Sequence, residues 1–255
     1  MSQRPFSVQL YTIRRALAED PLAALERIAQ LGFTTVELFG FVDRADAYAE
    51  LLPRFELTPS SAHAHLLGQD VVSVLEAARA VGISTVIEPL LDASRWADRD
   101  SVLAAVDELN GAARIAADLG ITVGYHNHWW ELETSFDGTT ALEVFAAALD
   151  PAVVLEVDTY WAQVGGTPAV ELLQRLGERV AFIHVKDGDV SRDDTKQVAV
   201  GSGRMPVPGI LAAAPQAVRV VELDDFDGDV FDALADSVAY LVAHGESLTA
   251  NRESL

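Results

Sequence analysis

Leu119-Gly-Ile-Thr-Val-Gly-Tyr-His-Asn-His128 sets the plan of the chain: a glycine placed to end a helix in a left-handed turn, a β-branched run, then polar side chains. The same cadence recurs in Leu31-Gly-Phe-Thr-Thr-Val-Glu37 and Val81-Gly-Ile-Ser-Thr-Val-Ile-Glu88. Such a repeated helix-to-strand joint predicts successive βα units. Outward from these joints, strand-like runs fall at 6–11, 34–39, 57–65, 83–89, 120–125, 153–158, 180–186 and 218–222. Helical patterns separate them. One opens at Asp20-Pro21, a cap residue followed by proline, and closes at Gly32. Others cover 45–52, 70–81, 99–119 (the longest), 139–149, 168–176, a short piece near 209–214, and 230–243. No Pro- or Ser-rich linker interrupts the alternation, so we expect one domain over 1–255, a single α/β (β/α)8 TIM barrel with eight parallel strands. A doubly wound sheet would call for a phosphate-binding glycine turn after its first strand, and Leu10-Tyr-Thr-Ile-Arg14 has no glycine.

Composition narrows the function classes. Half of the 255 residues are hydrophobic, enough for a barrel core. Eighteen Lys and Arg against thirty-nine Asp and Glu give a formal charge of −21, which opposes nucleic acid and anionic membrane partners. With no cysteine, disulfides and thiolate ligands are excluded. No window approaches the ~18 uninterrupted apolar residues of a membrane span, and the start, Met-Ser-Gln-Arg-Pro-Phe-Ser-Val, has no long apolar stretch, so the expected location is cytoplasmic.

Barrel geometry brings the carboxyl ends of all strands to one mouth. His126, Asp158, His184 and Glu222 end the fifth to eighth runs and form an N2O2 set suited to one divalent ion: Mn²⁺, Co²⁺, Zn²⁺ or Fe²⁺, with Mg²⁺ also admissible and Ca²⁺ less so. The rival to His126 as ligand is His128 or Glu88. The two-residue strand period adds His128, Glu156, Lys186 and Asp224 on the same faces, as hydrogen-bond partners of ligands or as substrate contacts. Glu37, His63, His65 and Glu88 end the earlier strands and face the same cavity, either as hydrogen-bonding groups of the lining or as substrate contacts. Trp129, Trp130, Tyr160 and Trp161 follow the motif strands, where they either pack or stack on a sugar. Val200-Gly-Ser-Gly-Arg204 is either an ordinary turn or a local anion site with Arg204. The acid run Asp224-Asp-Phe-Asp-Gly-Asp229 lacks the spacing of a calcium loop and reads as a solvated turn.

Four motifs, GYHNHWWELE (124–133), LEVDTYWAQVGG (155–166), FIHVKDGD (182–189) and VVELDD (220–225), resemble the sugar phosphate isomerases and epimerases of the xylose isomerase-like TIM barrel superfamily, in a branch marked by YHNH. The resemblance runs over nearly the whole chain. It implies one divalent metal held by Glu, Asp, His and Glu from strands five to eight, which places the last three on Asp158, His184 and Glu222; the strand-five position is His126 here. It also implies a sugar, keto-sugar or keto-inositol substrate isomerised or epimerised through an enediolate, with Glu222 as base and His128, Lys186 or Glu156 as the second acid or base. The charge of the chain favours an uncharged sugar. Other readings are a lyase or hydrolase of keto-sugars or keto-glycosides on the same site, and a non-catalytic sugar-binding barrel. A homo-oligomer is compatible with the apolar stretch 212–217.

Overall fold

The computed structural model describes residues 5–249. Eight parallel strands, β1 (Ser7–Gln9), β2 (Thr35–Phe39), β3 (Thr58–His63), β4 (Thr85–Glu88), β5 (Thr122–His126), β6 (Val154–Asp158), β7 (Val180–Val185) and β8 (Val218–Val221), close into a barrel in chain order. Strand β1 makes the closure: Ser7 and Val8 lie opposite Val220 and Val221 of β8, and Val8 also lies opposite Val36 of β2. Closure leaves no unpaired sheet edge. The barrel fold expected from the sequence is present in the described residues. Residues 1–4 and 250–255, which the one-domain reading and the reading of the N-terminal stretch also covered, lie outside them.

The joints that announced the fold take the predicted backbone. Gly32, Gly82 and Gly120 have φ of 93°, 83° and 71°, a left-handed turn that side chains with a Cβ adopt only with strain. Helix starts are capped in the expected manner, with Asp20 accepting from the Ala23 amide and Pro21 in the first turn. Apart from β3, whose first residues are partly exposed, the strands are largely buried on both faces, which is why they read as runs rich in Val, Ile and Leu rather than as alternating patterns. Inside the barrel, Ile87, Phe182, Val218 and Val220 form an apolar floor, and the polar residues of β2, β5, β6, β7 and β8 sit above it.

Several local elements differ from the sequence expectation. The first strand stops at Gln9 because its side chain accepts from the Tyr11 amide and turns the chain into a 3-10 stretch (Leu10–Ile13) and a helix (Arg14–Glu19). Short helices follow β5 (Trp130–Glu133) and β6 (Thr159–Val164) directly, the second capped by Asp158 itself through the Trp161 amide at 2.8 Å. Two small hairpins pair Ser135–Phe136 with Thr139–Thr140 and Asp187–Gly188 with Gln197–Val198. The short helix expected near 209–214 is Val207–Ala213, so most of the apolar stretch 212–217 is a turn, in which Ala214 and Ala217 are buried and Ala212, Pro215 and Gln216 are exposed. The Arg219 guanidinium donates to the carbonyls of Leu211, Ala214, Pro215 and Ala217, tying the turn to the barrel.

Candidate metal centre and active site

The two-residue period of the strands builds the site. On β7, Phe182 belongs to the floor, and His184 and then Lys186 rise above it on the same face. On β6, Glu156 and Asp158 do the same, and on β8 Glu222 follows Val220. Asp158, His184 and Glu222 each offer one ligand atom, all within 4.8 Å of one another, and all three are buried. His184 Nδ1 lies 2.6 Å from Glu222 Oε2 and 4.0 Å from Asp158 Oδ2. Lys186 completes this half: its ammonium is 2.9 Å from Asp158, 2.8 Å from Glu222 and 2.7 Å from Asp224. Asp224 is shared with Gln197 Nε2 at 2.6 Å.

His126 belongs to a second grouping, with His63, Glu156 and His184. A single carboxylate oxygen, Glu156 Oε2, faces His63 Nε2 at 2.6 Å, His126 Nδ1 at 3.0 Å and His184 Nε2 at 3.1 Å. The other imidazole nitrogen of His126, Nε2, is 3.8 Å from Asp158 Oδ2, so this ring links the two groups. Glu37 closes the network from β2. It sits 2.8 Å from His184 Nε2 and accepts from Gln9 Nε2 at 2.8 Å and from the Ser61 hydroxyl. The sequence pointed to Glu37 and His63 as cavity groups but gave no sign of Gln9 or Ser61, whose part appears only when β1, β2 and β3 are adjacent.

Burial and mutual charge set the protonation states. Burial pushes Asp158 up to about 6, with the Lys186 ammonium pulling the other way. Burial also works against ionisation of Glu222, but Lys186 and His184 outweigh it and hold the carboxyl well below its usual range. Glu156 is likewise buried yet held low by His184 and His63, whereas burial and the Glu156 charge raise Glu37. His184 overcomes its burial through Glu156 and Glu222 and is raised well above an ordinary histidine. His126 is the opposite case, lowered to about 3 by burial and by His184, and is a neutral imidazole. His128 is lowered well below its usual value by burial, His126 and Lys186.

His128 lies past the end of β5 and lines the cavity; its ring stacks on Trp130 at 4.6 Å, its amide donates to Glu131, and its buried Nδ1 has no hydrogen-bond partner. Glu131 has both oxygens engaged, by Tyr125 and by the His128 amide. Asn127, which the sequence did not single out, clamps the end of β6 through the Asp158 amide and carbonyl. Glu88 follows Ile87 of the floor and by strand parity faces away from it; one oxygen meets His65 Nδ1 at 2.6 Å and the other takes the Leu66 and Leu67 amides. His65 lines the cavity and Glu88 does not.

The aromatics and the glycine loop lie elsewhere. None of Trp129, Trp130, Tyr160 and Trp161 is among the cavity-lining residues. Trp129 carries the Arg192 guanidinium 3.7 Å from its ring centre, and the ring of Trp161 lies 5.7 Å from the Lys186 ammonium. Arg204 is exposed and outside the lining, in a loop hung on Asp187, which accepts from the amides of Gly201, Gly203 and Met205. The acid run is more structured than a solvated turn: Asp225 pairs with Arg15, and Asp229 pairs with Arg27 and caps the final helix.

The donor set fits a divalent cation. Five carboxylates, of Glu37, Glu156, Asp158, Glu222 and Asp224, converge with one lysine and the imidazoles of His63, His126 and His184, leaving a surplus of oxygen donors around buried negative charge. Glu156 Oε1 is buried without a partner, and such a group favours a further positive neighbour. Above the cluster opens a cavity of about 690 Å³ lined by His63, His126, His128, Glu222 and Asp224 on one side.

Comparison with known proteins adds to this geometry. The family model described as xylose isomerase-like TIM barrel matches residues 25–228. An inosose dehydratase of Geobacillus kaustophilus (strain HTA426) is 32% identical over 131 residues, which is 47% of this chain and 41% of that enzyme, so the shared stretch spans well under half of the curated relative. A sugar phosphate isomerase/epimerase from Parabacteroides distasonis ATCC 8503 superposes with a TM-score of 0.79 at 25% identity, covering 95% of each chain. The IolI protein with a bound zinc atom shares the fold, with a TM-score of 0.70 at 15% identity over 94% of this chain and 97% of its own.

Proposed function

Because the chain belongs to the xylose isomerase-like TIM barrel family, we propose that it is a sugar-modifying enzyme, a divalent-metal-dependent isomerase or epimerase of a sugar, keto-sugar or keto-inositol. The observation that carries this reading is the convergence of buried Asp158, His184 and Glu222 within 4.8 Å at the base of an open cavity. These three residues, with His126 beside them, would hold the ion, Mn²⁺, Co²⁺, Zn²⁺, Fe²⁺ or Mg²⁺ by donor type. When bound, it supplies a Lewis acid beside a substrate carbonyl and its neighbouring hydroxyl.

The chain's own residues handle the proton. Glu222 lines the cavity and is kept ionised by Lys186 and His184, so it is the base that removes the proton next to the carbonyl. His128 lines the same cavity and is held well below the usual histidine value by burial, His126 and Lys186, which makes its imidazole the group to exchange a proton with the second centre. Lys186 holds Asp158 and Glu222 in place as a fixed positive charge, and Glu156 orients three imidazoles at once. His63 and His65, on the lining, are placed to hold substrate hydroxyls.

A second reading, elimination of water or of an aglycone from a keto-sugar, is favoured by the stretch shared with the inosose dehydratase. Both reactions begin with the same proton removal and part at the next step. The test is metal analysis of the purified protein, together with a screen of ketoses, keto-inositols and 3-keto-glycosides in D2O. Metal-dependent deuterium uptake with the substituents retained supports isomerisation or epimerisation, and loss of a substituent supports elimination. A protein without stoichiometric metal that turns over none of these compounds would overturn both.

A further inference from the structure

The cavity has two unlike walls. The ends of β5 and β8 and the residues just after them supply His126, His128, Glu222 and Asp224, while the β1–β4 side supplies an apolar stretch of Tyr11, Phe39, Val42, Pro89 and Leu90, with Val74 from the helix Val71–Val81, beside the polar Asp43, His63, His65 and Gln69. Tyr11 and Leu90 are large apolar side chains left 38% and 39% exposed, and both are on this wall. Tyr11 meets Phe39 edge-on, with ring centres 5.3 Å apart, so the wall has a built aromatic corner. A free monosaccharide can lay one C–H face on a single ring of that wall and leaves the rest of it wet. Its exposure is explained by a ligand that covers it.

The charges on the lining limit the ligand further. Its ionisable residues are Asp43, His63, His65, His126, His128, Glu222 and Asp224, with no Lys or Arg among them. Lys186 is fully buried among three carboxylates, Arg204 lies outside the cavity, and Arg14 stacks on Tyr11 with its guanidinium carbon 4.1 Å from the ring centre. A phosphate or carboxylate on the substrate's distal end would face Asp43 with no Lys or Arg in the lining to receive it.

Resting on the reading of this cavity as the catalytic site, we infer that the substrate is an uncharged sugar bearing an apolar, ring-sized substituent, an aryl glycoside or its keto form. The sugar lies against His63, His128 and Glu222, and the substituent against Tyr11, Phe39 and Leu90. The pocket thus selects on both ends, by hydrogen bonds to hydroxyls and by an apolar wall that a bare sugar or a sugar phosphate cannot cover.

The test is calorimetric binding of three unreactive probes, phenyl β-D-glucopyranoside, methyl β-D-glucopyranoside and methyl β-D-glucopyranoside 6-phosphate, to the Mn²⁺-supplemented protein. The phenyl glycoside should bind at least about tenfold more tightly than the methyl glycoside, a difference of ~1.4 kcal/mol, and the phosphate more weakly than either. Leu90→Asp and Tyr11→Ser should each abolish the phenyl preference, read as the ratio of phenyl to methyl glycoside affinity. Val72→Asp, at an exposed apolar residue outside the cavity, should leave the preference intact. Equal binding of the phenyl and methyl glycosides, tighter binding of the phosphate, a preference that survives both cavity variants, or no phenyl glycoside binding at millimolar concentration would each overturn the inference. A phenyl preference without metal-dependent turnover of any keto substrate would instead refute the proposed reaction alone.

Discussion

Replacing Lys186 by methionine isolates the electrostatic core of the site. The ammonium is within 3 Å of Asp158, Glu222 and Asp224 and is fully buried, and methionine nearly matches the stem in volume, so the change removes charge with little loss of packing. Removing one partner from a buried ion cluster leaves the others uncompensated, which costs about 3–5 kcal/mol. The cost depends on pH. Burial already lifts Asp158 above its unfolded value, to about 6, so its contribution to stability is present below its unfolded value and is lost as pH rises through about 6. Without the ammonium, Asp158 would rise further, and Glu222, now held low by Lys186, would be freed to take up a proton. The folded variant therefore binds more protons than the folded wild type, and its stability deficit should shrink on acidification. Urea unfolding of EDTA-treated Lys186→Met and wild type at pH 8 and pH 5 would measure this. Excess Mn²⁺ added at pH 8 should stabilise the variant more than the wild type, because the ion meets carboxylates that have lost their other cation. A variant within about 1 kcal/mol of wild type at pH 8, or a deficit that grows toward pH 5, would refute the reasoning.

Glu222→Gln should retain the fold and lower kcat on any turned-over keto substrate by at least about a hundredfold, as expected for loss of a general base; steady-state kinetics checked against an unchanged circular dichroism spectrum would read this out. His184→Ala should lose stoichiometric metal by elemental analysis, because His184 is shared by both potential ligand groups. Glu131, pushed up to about 7 by burial, should make wild-type stability fall as pH rises from 5 to 8, by roughly 2 kcal/mol, because the neutral form that the fold favours is lost through that range; Glu131→Gln should remove most of that slope in urea titrations. Asp187→Ala should raise hydrogen exchange at the Gly201, Gly203 and Met205 amides, which it alone receives.

The sequence made the frame legible because the frame depends on local rules. A glycine ending a helix, a run of branched residues and a polar terminus are signals within one unit, and Gly32, Gly82 and Gly120 take the backbone they imply. The strand-end chemistry was readable for a related reason: Asp158, His184 and Glu222 lie where β6, β7 and β8 reach the barrel mouth, and strand parity carries Glu156 and Lys186 onto their side. Parity needs a correct phase, however. In Val86-Ile-Glu88 the polar residue was taken as the inward one, but Gly124 opposite Ile87 leaves just the space that the Ile87 side chain uses, so Ile87 turns inward and Glu88 outward.

What the sequence withheld lies in relations between units. The tryptophans after β5 and β6 were expected at the mouth, but helices begin there at once, Thr159–Val164 being capped by Asp158 itself, and this swings Trp161 under Lys186 and away from the cavity. Glu37 was visible as a strand-end acid, yet its place behind His184 needs Gln9 and Ser61 from the neighbouring strands to hold it. The apolar wall is the extreme case: Tyr11, Phe39, Val74 and Leu90 come from four separate units and share no motif, so only closure of the barrel makes them one surface. In this chain the β5–β8 half carries its polar groups in compact motifs, because side chains that must converge on one point have to be of particular types. The apolar part of the β1–β4 half needs only area facing the right way, a demand that many residue types satisfy and that therefore leaves little trace in a single sequence.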